Sequence, residues 1–301
     1  MIQHLTEIVE EASKRGRKRL AVAYGQDSHT LCAVYEAYKA GLVEPTLYGE
    51  KAVIEEVCKA ENIDINAFRI FDEKSDLNCV KLAVAAVVAG EADLLMKGLV
   101  STDKYMRGIL NKEAGLFPPK GVLSHVAIIE LPDYPRLIII SDVAVIPQPD
   151  LKQKTIQIGY LAKTANLLGI KTPKIACIAP SEQVLPTVIS STEGALLAKM
   201  GDRGQLGNVI VDGPLSLDVA LFKEAADQKK VKGSSVAGMP DCLLFPNLES
   251  GNVFFKSASH LCNSELAAMV MGTKVPCVLT SRGDTSKTKL YSIALACLAA
   301  K

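Results

Sequence analysis

Short apolar runs alternate along this 301-residue chain with longer segments in which apolar residues recur every three or four positions. The strand-like runs include RLAVAY (19–24), ADLLMK (92–97), NVIVD (208–212) and PCVLTS (276–281). The helix-like segments between them include 101–112, 252–271 and 286–300. Such alternation is typical of βα units, so the chain is predicted to adopt an α/β fold with a mostly parallel sheet.

One pair of runs breaks this alternation. HVAIIEL (125–131) and RLIIIS (136–141) are separated only by the four residues PDYP. This spacing predicts two adjacent strands joined by a proline turn. The stretch VIPQPD (145–150) follows, with two prolines before a helix-like segment. It is the candidate domain boundary.

Composition restricts the class of function. Apolar residues make up 49% of the chain and charged residues 22%, which is typical of a globular protein. The net charge of +1 argues against nucleic acid or an anionic membrane as a partner. The longest apolar runs, such as 82–90, are about half as long as a membrane-spanning helix, and the first residues lack the apolar core of a secretory signal. We therefore expect a cytoplasmic protein that acts on small molecules.

The sequence offers no motif for a metal or a nucleotide cofactor. The eight cysteines contain no CxxC pair, and the four histidines show no HExxH spacing. The phosphate-binding pattern GxxxxGK[ST] and the dinucleotide pattern GxGxxG are both absent. We expect buried, reduced thiols and no bound metal or cofactor.

Polar side chains follow several predicted strands, at the edge where open α/β sheets bind their ligands. These residues are Lys97, Ser101 and Thr102 after ADLLM, Asp212 after NVIV, Asn247 after CLLF, and Ser281, Arg282 and Asp284 after CVLT. Helix capping alone would explain several of them, because Ser and Thr are common N-caps and Asn252 could simply begin a helix. Capping does not explain Arg282, whose guanidinium offers a fixed fork of donors to phosphate or carboxylate.

Four segments extend this observation to a known family. KGLVSTDKYMRGIL, DGPLSLDVAL, SSVAGMPDCLLFPNLESGNVFFK and VLTSRGDTSKTKLYS resemble the phosphate acetyl- and butyryltransferase family, most closely its butyryl branch. The resemblance runs from about residue 90 to the end of the chain. It implies the reaction acyl-CoA + phosphate = acyl phosphate + CoA, in which CoA is a substrate and no cofactor is required.

The resemblance also implies an architecture. It predicts two α/β/α domains with an interdomain cleft, like those of isocitrate and isopropylmalate dehydrogenases, in a homodimer or higher homo-oligomer. The last segment would return to the first domain. The expected domains are therefore 1–143 with 275–301, and 144–274.

Roles for the site residues follow from the same resemblance. Ser281 is expected to donate to the oxyanion of a tetrahedral intermediate and Arg282 to hold phosphate. Arg107, placed in STxxxxR, is expected to bind phosphate or CoA. The phosphate- and CoA-binding set is completed by Lys97, Ser101, Thr102, Asn247, Asn252 and Asp212.

The general base is the point at which this chain departs from the family pattern. Acetyl members carry an aspartate several residues beyond the Ser-Arg pair, but the seventh residue after Ser281 is Thr288. Asp284 is the nearest carboxylate and the predicted base, with Asp212 and Asp218 as rivals. No cysteine has a base or a cation beside it in the sequence, which favours direct transfer in a ternary complex.

Other functions remain open on the sequence alone. A phosphate acetyltransferase acting on acetyl-CoA would differ only in pocket size, since each methylene changes discrimination by about 1–3 kcal/mol. A non-catalytic acyl-CoA-binding relative would keep the fold without turnover. A dehydrogenase of the isocitrate type would need clustered aspartates and several arginines at the strand ends, and the sequence has no such aspartate cluster.

Overall fold

The computed structural model describes residues 1–301, and its packing divides the chain into two compact units. The first unit contains residues 5–123 and 265–301, and the second contains residues 1–4 and 124–264. Each unit is an α/β structure whose strands and helices alternate along most of the chain. None of the helices combines the length and the apolarity needed to cross a bilayer.

The strands are β1 (Lys18–Ala23), β2 (Val43–Gly49), β3 (Arg69–Asp72), β4 (Leu94–Lys97), β5 (Ser124–Glu130), β6 (Ile138–Ser141), β7 (Lys174–Ile178), β8 (Ile210–Leu215), β9 (Cys242–Leu244), β10 (Glu265–Met271) and β11 (Cys277–Val278). The helices are α1 (Leu5–Ser13), α2 (Ser28–Lys39), α3 (Lys51–Ala60), α4 (Asp76–Val88), α5 (Thr102–Leu110), α6 (Leu151–Leu167), α7 (Ile189–Asp202), α8 (Leu217–Leu221), α9 (Lys223–Gln228), α10 (Leu248–Leu261) and α11 (Ser286–Ala299). A short 3-10 turn covers Ile65–Ala67.

The sheet of the first unit has the strand order β3-β2-β1-β4-β11-β10. Its neighbours are parallel except for β10, which is antiparallel to β11. Helix α11 packs against β10, α2 and α1, and ten of its residues between Thr288 and Leu298 are buried. A helix buried on nearly all sides belongs to the core of its unit.

The second unit has the strand order β5-β6-β9-β7-β8. Strands β6, β9, β7 and β8 are parallel, and β5 is antiparallel to β6. Its first long helix, α6, begins at a capping box in which Asp150 and Gln153 exchange side-chain and backbone hydrogen bonds. Both sheets are therefore mixed, with one antiparallel strand at an end of each.

The prediction of a hairpin around PDYP is confirmed, because β5 and β6 are antiparallel partners. The predicted helix 252–271 is wrong in its second half. Helix α10 ends at Leu261, Asn263 adopts a left-handed conformation, and 265–271 forms strand β10. The apolar run ELAAMVM is rich in helix-forming residues, but six of its seven residues are buried in the strand, and this burial overrides the helical propensity. The predicted strand 276–281 is shorter in the structure, where only two residues pair as β11.

The boundaries between the two compact units fall earlier in the chain than the predicted domain edges. The hairpin β5–β6 packs with the second unit and β10 with the first, which moves the divisions to 123/124 and 264/265. A discontinuous first part that includes the C-terminal segment is common to the prediction and to the structure. The predicted domain edges, after residue 143 and after residue 274, concern domains that fold independently, and they stay predictions.

Candidate active site

Three strand ends meet at one edge of the sheet in the first unit. Strand β4 lies between β1 and β11 and is parallel to both, so the carboxyl ends of the three strands are neighbours. Each strand leads through a short loop into a helix, and the three N-caps are Asp27 for α2, Ser101 for α5 and Thr285 for α11. The carboxyl ends of parallel strands are where open α/β sheets bind ligands.

A glycine allows the loops after β1 and β4 to touch. A Cβ atom on Gly98 would lie 2.3 Å from the carbonyl oxygen of Tyr24. The backbone amide of Gly98 donates to Ala23 O at 2.9 Å, and the amide of Leu99 donates to Tyr24 O at 2.9 Å. Any larger residue at position 98 would push these two loops apart.

A buried tyrosine fixes helix α5 to the same strands. The Tyr105 side chain is fully buried, and its hydroxyl lies 3.2 Å from both Leu95 O in β4 and Val278 O in β11. One hydroxyl has a single proton, so it donates to one of these carbonyls at a time. The N-terminus of α5 is thereby held beside the strand ends.

Two lysines are buried at this edge. Lys97, the last residue of β4, is 1% exposed, and its Nζ donates to two backbone carbonyls of the following loop, each at 3.0 Å. Lys289 on α11 is also 1% exposed, and its Nζ donates to Thr280 Oγ1 at 3.2 Å and Ser281 O at 2.8 Å. An ammonium has three protons, so each lysine keeps one donor for a further acceptor.

The electrostatic environment couples these lysines to three other charged residues. The pKa of Lys97 is lowered to about 8, mainly by burial and also by the positive charges of Lys289 and Arg282, while the carboxylates of Asp27 and Asp284 partly oppose the shift. Burial likewise lowers the pKa of Lys289, again opposed by Asp27 and Asp284. Three cations and two carboxylates therefore act on one another at the strand ends.

The loop after β11 has an internal hydrogen-bond pattern. The backbone amide of Ser281 donates to Asp284 Oδ2 at 2.6 Å, and the amide of Asp284 donates to Ser281 O at 3.2 Å. The amide of Gly283 lies 3.4 Å from Ser281 Oγ, and the Arg282 side chain is exposed. The carboxylate of Asp284 thus orders the loop that presents Ser281 and Arg282.

These observations define a strand-end cluster. Its members are Asp27, Lys97, Ser281, Arg282, Asp284 and Lys289. The sequence singled out four of them and missed two. Asp27 lies in the loop after β1, and Lys97 lies at the end of β4. A search for polar residues at the ends of predicted strands could therefore have identified Asp27 as well. Lys289 lies within a helix, and nothing in its sequence neighbourhood marks it as buried.

The remaining predicted residues of the first unit lie on α5. Ser101 caps the helix by accepting from the amide of Lys104 at 3.4 Å, and Thr102 is its first residue. Arg107 is not brought into the strand-end cluster. Its guanidinium pairs with Asp103 at 3.1 Å, and its side chain is 77% exposed.

Three predicted residues belong to the second unit, where each makes a hydrogen bond with the backbone. Asn247 caps α10 by accepting from Ser250 N at 2.9 Å, and Asn252 Nδ2 donates to Val143 O at 2.9 Å. Asp212 accepts from the amide of the next residue at 2.8 Å. These contacts explain the three residues structurally, and their predicted contacts with CoA or phosphate stay predictions.

The second unit contains a pocket of about 1170 Å³ beside the carboxyl ends of β7 and β9. Its walls are largely apolar and include Ile178, Phe245 and Val253. The ion pair between Lys154 and Glu193 also lines it, and the side chain of Lys154 is nearly fully buried. Asn247 is the predicted site residue found in this lining.

One rival for the general base is disfavoured by its surroundings. Asp218 accepts a hydrogen bond from the hydroxyl of Ser216 at 2.5 Å and pairs with Lys229 at 3.0 Å. The Ser216 hydrogen bond, followed by the Lys229 interaction, lowers the pKa of Asp218 to about 2. A carboxyl group that acidic is a weak proton acceptor.

No group of three or more His, Cys, Asp or Glu side chains is arranged to hold a metal ion.

Comparison with known proteins identifies the family. The sequence matches the family described as "Phosphate acetyl/butaryl transferase" over residues 4–81 and 77–297. The chain belongs to this family. The resemblance inferred from the four sequence segments is thereby confirmed, and the protein is a phosphate acyltransferase.

Two curated relatives carry different acyl groups in their names. Phosphate butyryltransferase of Clostridium acetobutylicum is 41% identical over 300 residues, which cover 100% of this chain and 99% of the relative. Phosphate acetyltransferase of Thermotoga maritima is 39% identical over 291 residues, covering 97% and 98%. The identities differ too little to assign the acyl group.

Solved structures confirm the predicted fold class. A branched-chain phosphotransacylase from Enterococcus faecalis V583 superposes with a TM-score of 0.82 at 26% identity, covering 94% of this chain and 100% of the other. The 4-hydroxythreonine-4-phosphate dehydrogenase of Klebsiella pneumoniae has a TM-score of 0.53 at 12% identity, covering 93% and 98%, and shows a shared fold alone. The chain therefore shares its α/β fold with these two proteins.

Proposed function

We propose that this phosphate acyltransferase exchanges CoA and phosphate on a butyryl group, so that butyryl-CoA + phosphate = butyryl phosphate + CoA. The name of the clostridial relative supports butyryl, and the sequence segments resemble the butyryl branch. The name of the Thermotoga relative supports acetyl-CoA as the second candidate substrate. Because each methylene in an apolar pocket changes discrimination by only about 1–3 kcal/mol, we expect a graded preference.

The strand-end cluster is the observation that carries the proposal. Lys97 and Lys289 are buried and each keeps one free donor, while Arg282 is exposed beside them. Buried cations cost free energy unless an anion or hydrogen-bond acceptors compensate them. A phosphate group supplies both the charge and the acceptors, so in this proposal phosphate binds to these three cations.

The loop after β11 supplies the groups for acyl transfer. In this proposal the Ser281 hydroxyl donates to the oxyanion that forms when the acyl carbonyl is attacked. Asp284 accepts the proton of the CoA thiol in the direction that forms acyl-CoA, since a thiol of pKa about 8.5 must become a thiolate to attack. In that direction the C–S bond forms, the C–O bond to phosphate breaks and phosphate leaves. In the reverse direction, a phosphate oxygen forms a C–O bond with the carbonyl carbon, the C–S bond breaks, and the departing thiolate takes the proton back from Asp284.

Direct transfer between the two substrates is favoured by the state of the cysteines. Cys277 lies in β11, next to the loop of the cluster, and burial raises its pKa to about 12. Burial and the charge of Glu61 raise the pKa of Cys32 in α2. Neither thiol is poised to form a thiolate nucleophile at neutral pH, so no acyl-enzyme intermediate is proposed.

We also propose that the protein forms a homo-oligomer. Several large apolar side chains of the second unit are exposed on its helices, including Ile189 on α7 and Val253 and Leu261 on α10. Large apolar side chains this exposed can mark contacts between proteins where they adjoin one another. Light scattering coupled to size exclusion measures the mass directly, and a monomer at micromolar concentration would contradict this proposal.

A thiol-release assay tests the function. Purified protein is mixed with phosphate and with acetyl-, propionyl-, butyryl- or valeryl-CoA in turn, and free CoA is followed with a thiol reagent. We expect release that depends on phosphate and is fastest with butyryl-CoA. Faster release with acetyl-CoA would replace butyryl by acetyl. No release with any of the four, from folded protein, would favour a non-catalytic acyl-CoA-binding protein.

A further inference from the structure

Asp27 carries a buried carboxylate oxygen that nothing in the protein satisfies. Its Oδ1 accepts from the amide of Thr30 at 3.0 Å and so caps α2. Its Oδ2 is buried and has no hydrogen-bond partner. A buried charged oxygen without a donor is costly, because it has lost its water without replacement. The cap therefore explains one oxygen of Asp27 and leaves the other unexplained.

Asp27 lies close enough to two buried cations for its charge to act on them. The charge of Asp27 acts on both Lys97 and Lys289, whose ammonium groups donate to carbonyls or a hydroxyl and not to this carboxylate. Arg282 contributes a third positive charge that acts on Lys97. An anion held by these cations would meet a carboxylate oxygen that can only accept a hydrogen bond.

We propose that Asp27 accepts a hydrogen bond from the protonated oxygen of bound phosphate and thereby selects phosphate over sulfate. The inference rests on the proposed function, because it assumes that the cluster binds phosphate. Inorganic phosphate keeps at least one proton at neutral pH, whereas sulfate keeps none. Sulfate would turn an unprotonated oxygen toward Asp27 Oδ2, so two acceptors would face each other without a proton between them.

The cations alone cannot make this distinction. Lys97, Lys289 and Arg282 donate to any tetrahedral dianion, and sulfate and phosphate are nearly equal in size and shape. Selectivity requires a group that penalises the wrong anion, and an acceptor-only carboxylate does so. A site built to pair with a hydroxyl rejects a ligand that lacks it more strongly than an apolar site can.

The test compares the two anions in the wild type and in Asp27→Asn. Asparagine is as good an N-cap as aspartate, so α2 keeps its start, and the amide can donate to sulfate. Sulfate is measured as an inhibitor competing with phosphate in the thiol-release assay. We expect the ratio of the sulfate inhibition constant to the phosphate KM to fall by roughly tenfold to hundredfold in the variant, the range of one charge-assisted hydrogen bond.

The matched control is Asp64→Asn. Asp64 is exposed and caps the 3-10 turn through the amide of Asn66, so the same chemical change is made outside the cluster. Its ratio should equal that of the wild type. A ratio that changes less than threefold in folded Asp27→Asn, while the wild type turns over with phosphate, overturns the role of Asp27 and leaves the proposed function intact.

A second measurement needs neither the variant nor turnover. Calorimetric titration of the wild type compares phosphate, arsenate and sulfate, of which arsenate keeps a proton at neutral pH as phosphate does. We expect phosphate and arsenate to bind with similar affinity and sulfate at least about tenfold more weakly. Equal binding of all three anions refutes the inference. Selective anion binding without CoA release from any acyl-CoA would instead refute the proposed function.

Discussion

Replacing Lys97 by Met should change both the level and the pH dependence of catalysis. The buried Nζ is proposed to donate to phosphate, and a charge-assisted hydrogen bond of this kind contributes about 1.5–3 kcal/mol. Its loss should lower kcat/KM for phosphate at pH 7 by roughly tenfold to hundredfold. The pKa of Lys97 is lowered to about 8, so the wild-type lysine itself loses its proton within the measurable range.

The pH profile follows from that value. The pH dependence of kcat/KM reports groups of the free enzyme, so the wild-type value should fall by up to about tenfold for each pH unit above pH 8, until it reaches the level of Lys97→Met. In Lys97→Met the fall centred near pH 8 should be absent, and the two profiles should approach each other near pH 10. Butyryl-CoA is the substrate, because a thioester has no thiol to titrate, and the fall is measured between pH 8 and pH 10, where phosphate is predominantly a dianion.

A second lysine variant provides the control. Lys104 lies on α5 and pairs with Asp76 at a partly exposed position, so Lys104→Met should keep the wild-type profile. A wild-type kcat/KM that stays level from pH 7 to pH 10 would refute the argument. So would a fall near pH 8 that persists in Lys97→Met, because another group would then be titrating.

The other predictions concern stability and the loop after β11. The folded-state pKa of Lys97 lies below its usual 10.5, so the unfolded chain binds more protons than the folded chain between pH 8 and 10.5. The free energy of unfolding should therefore rise with pH through this window, by about 3 kcal/mol at most. Urea denaturation measures this rise, which should be absent in Lys97→Met. Arg282→Ala should raise the phosphate KM by roughly tenfold or more and lower kcat, and unchanged kinetics would remove it from the mechanism. Arg107→Ala is the matched comparison, and a loss as large as that of Arg282→Ala would support the role that the family pattern suggests for it. Asp284→Asn keeps an acceptor for the loop amide but no base, so it should lose most acyl-CoA formation while binding CoA normally; full activity would exclude it as the base. Tyr105→Phe should lower the free energy of unfolding by about 1–2 kcal/mol, because its buried hydroxyl bridges β4 and β11, and no change in urea denaturation would contradict this.

The strand-end residues illustrate what the sequence can predict. Lys97, Ser281, Arg282 and Asp284 follow apolar runs, and parallel strands bring such residues to one edge whatever the details of packing. The predicted α/β class follows from the same alternation of periods. Local signals of this kind need no knowledge of distant contacts.

The missed residues depend on contacts that the sequence does not encode locally. Lys289 is buried because α11 is covered on nearly all sides, whereas a lysine in a helical segment normally indicates a solvent-facing position. Asp27 looks like an ordinary N-cap, and only the structure shows that one of its oxygens is left over. Asn252 stays a predicted ligand contact, and its amide also donates to Val143 O, a contact that no sequence pattern indicates.

The discontinuous first unit has a consequence for biosynthesis. Strand β11 and helix α11 come from the last part of the chain, yet β11 pairs with β4 and α11 fills the core beside α2. While the ribosome is still making residues 124–264, the N-terminal segment therefore exposes apolar surface that only the end of the chain can cover. Contacts this distant in sequence form late, so the nascent first unit must wait for the C-terminus, and chaperones would find their binding surface there. The second unit is almost contiguous and has no such delay.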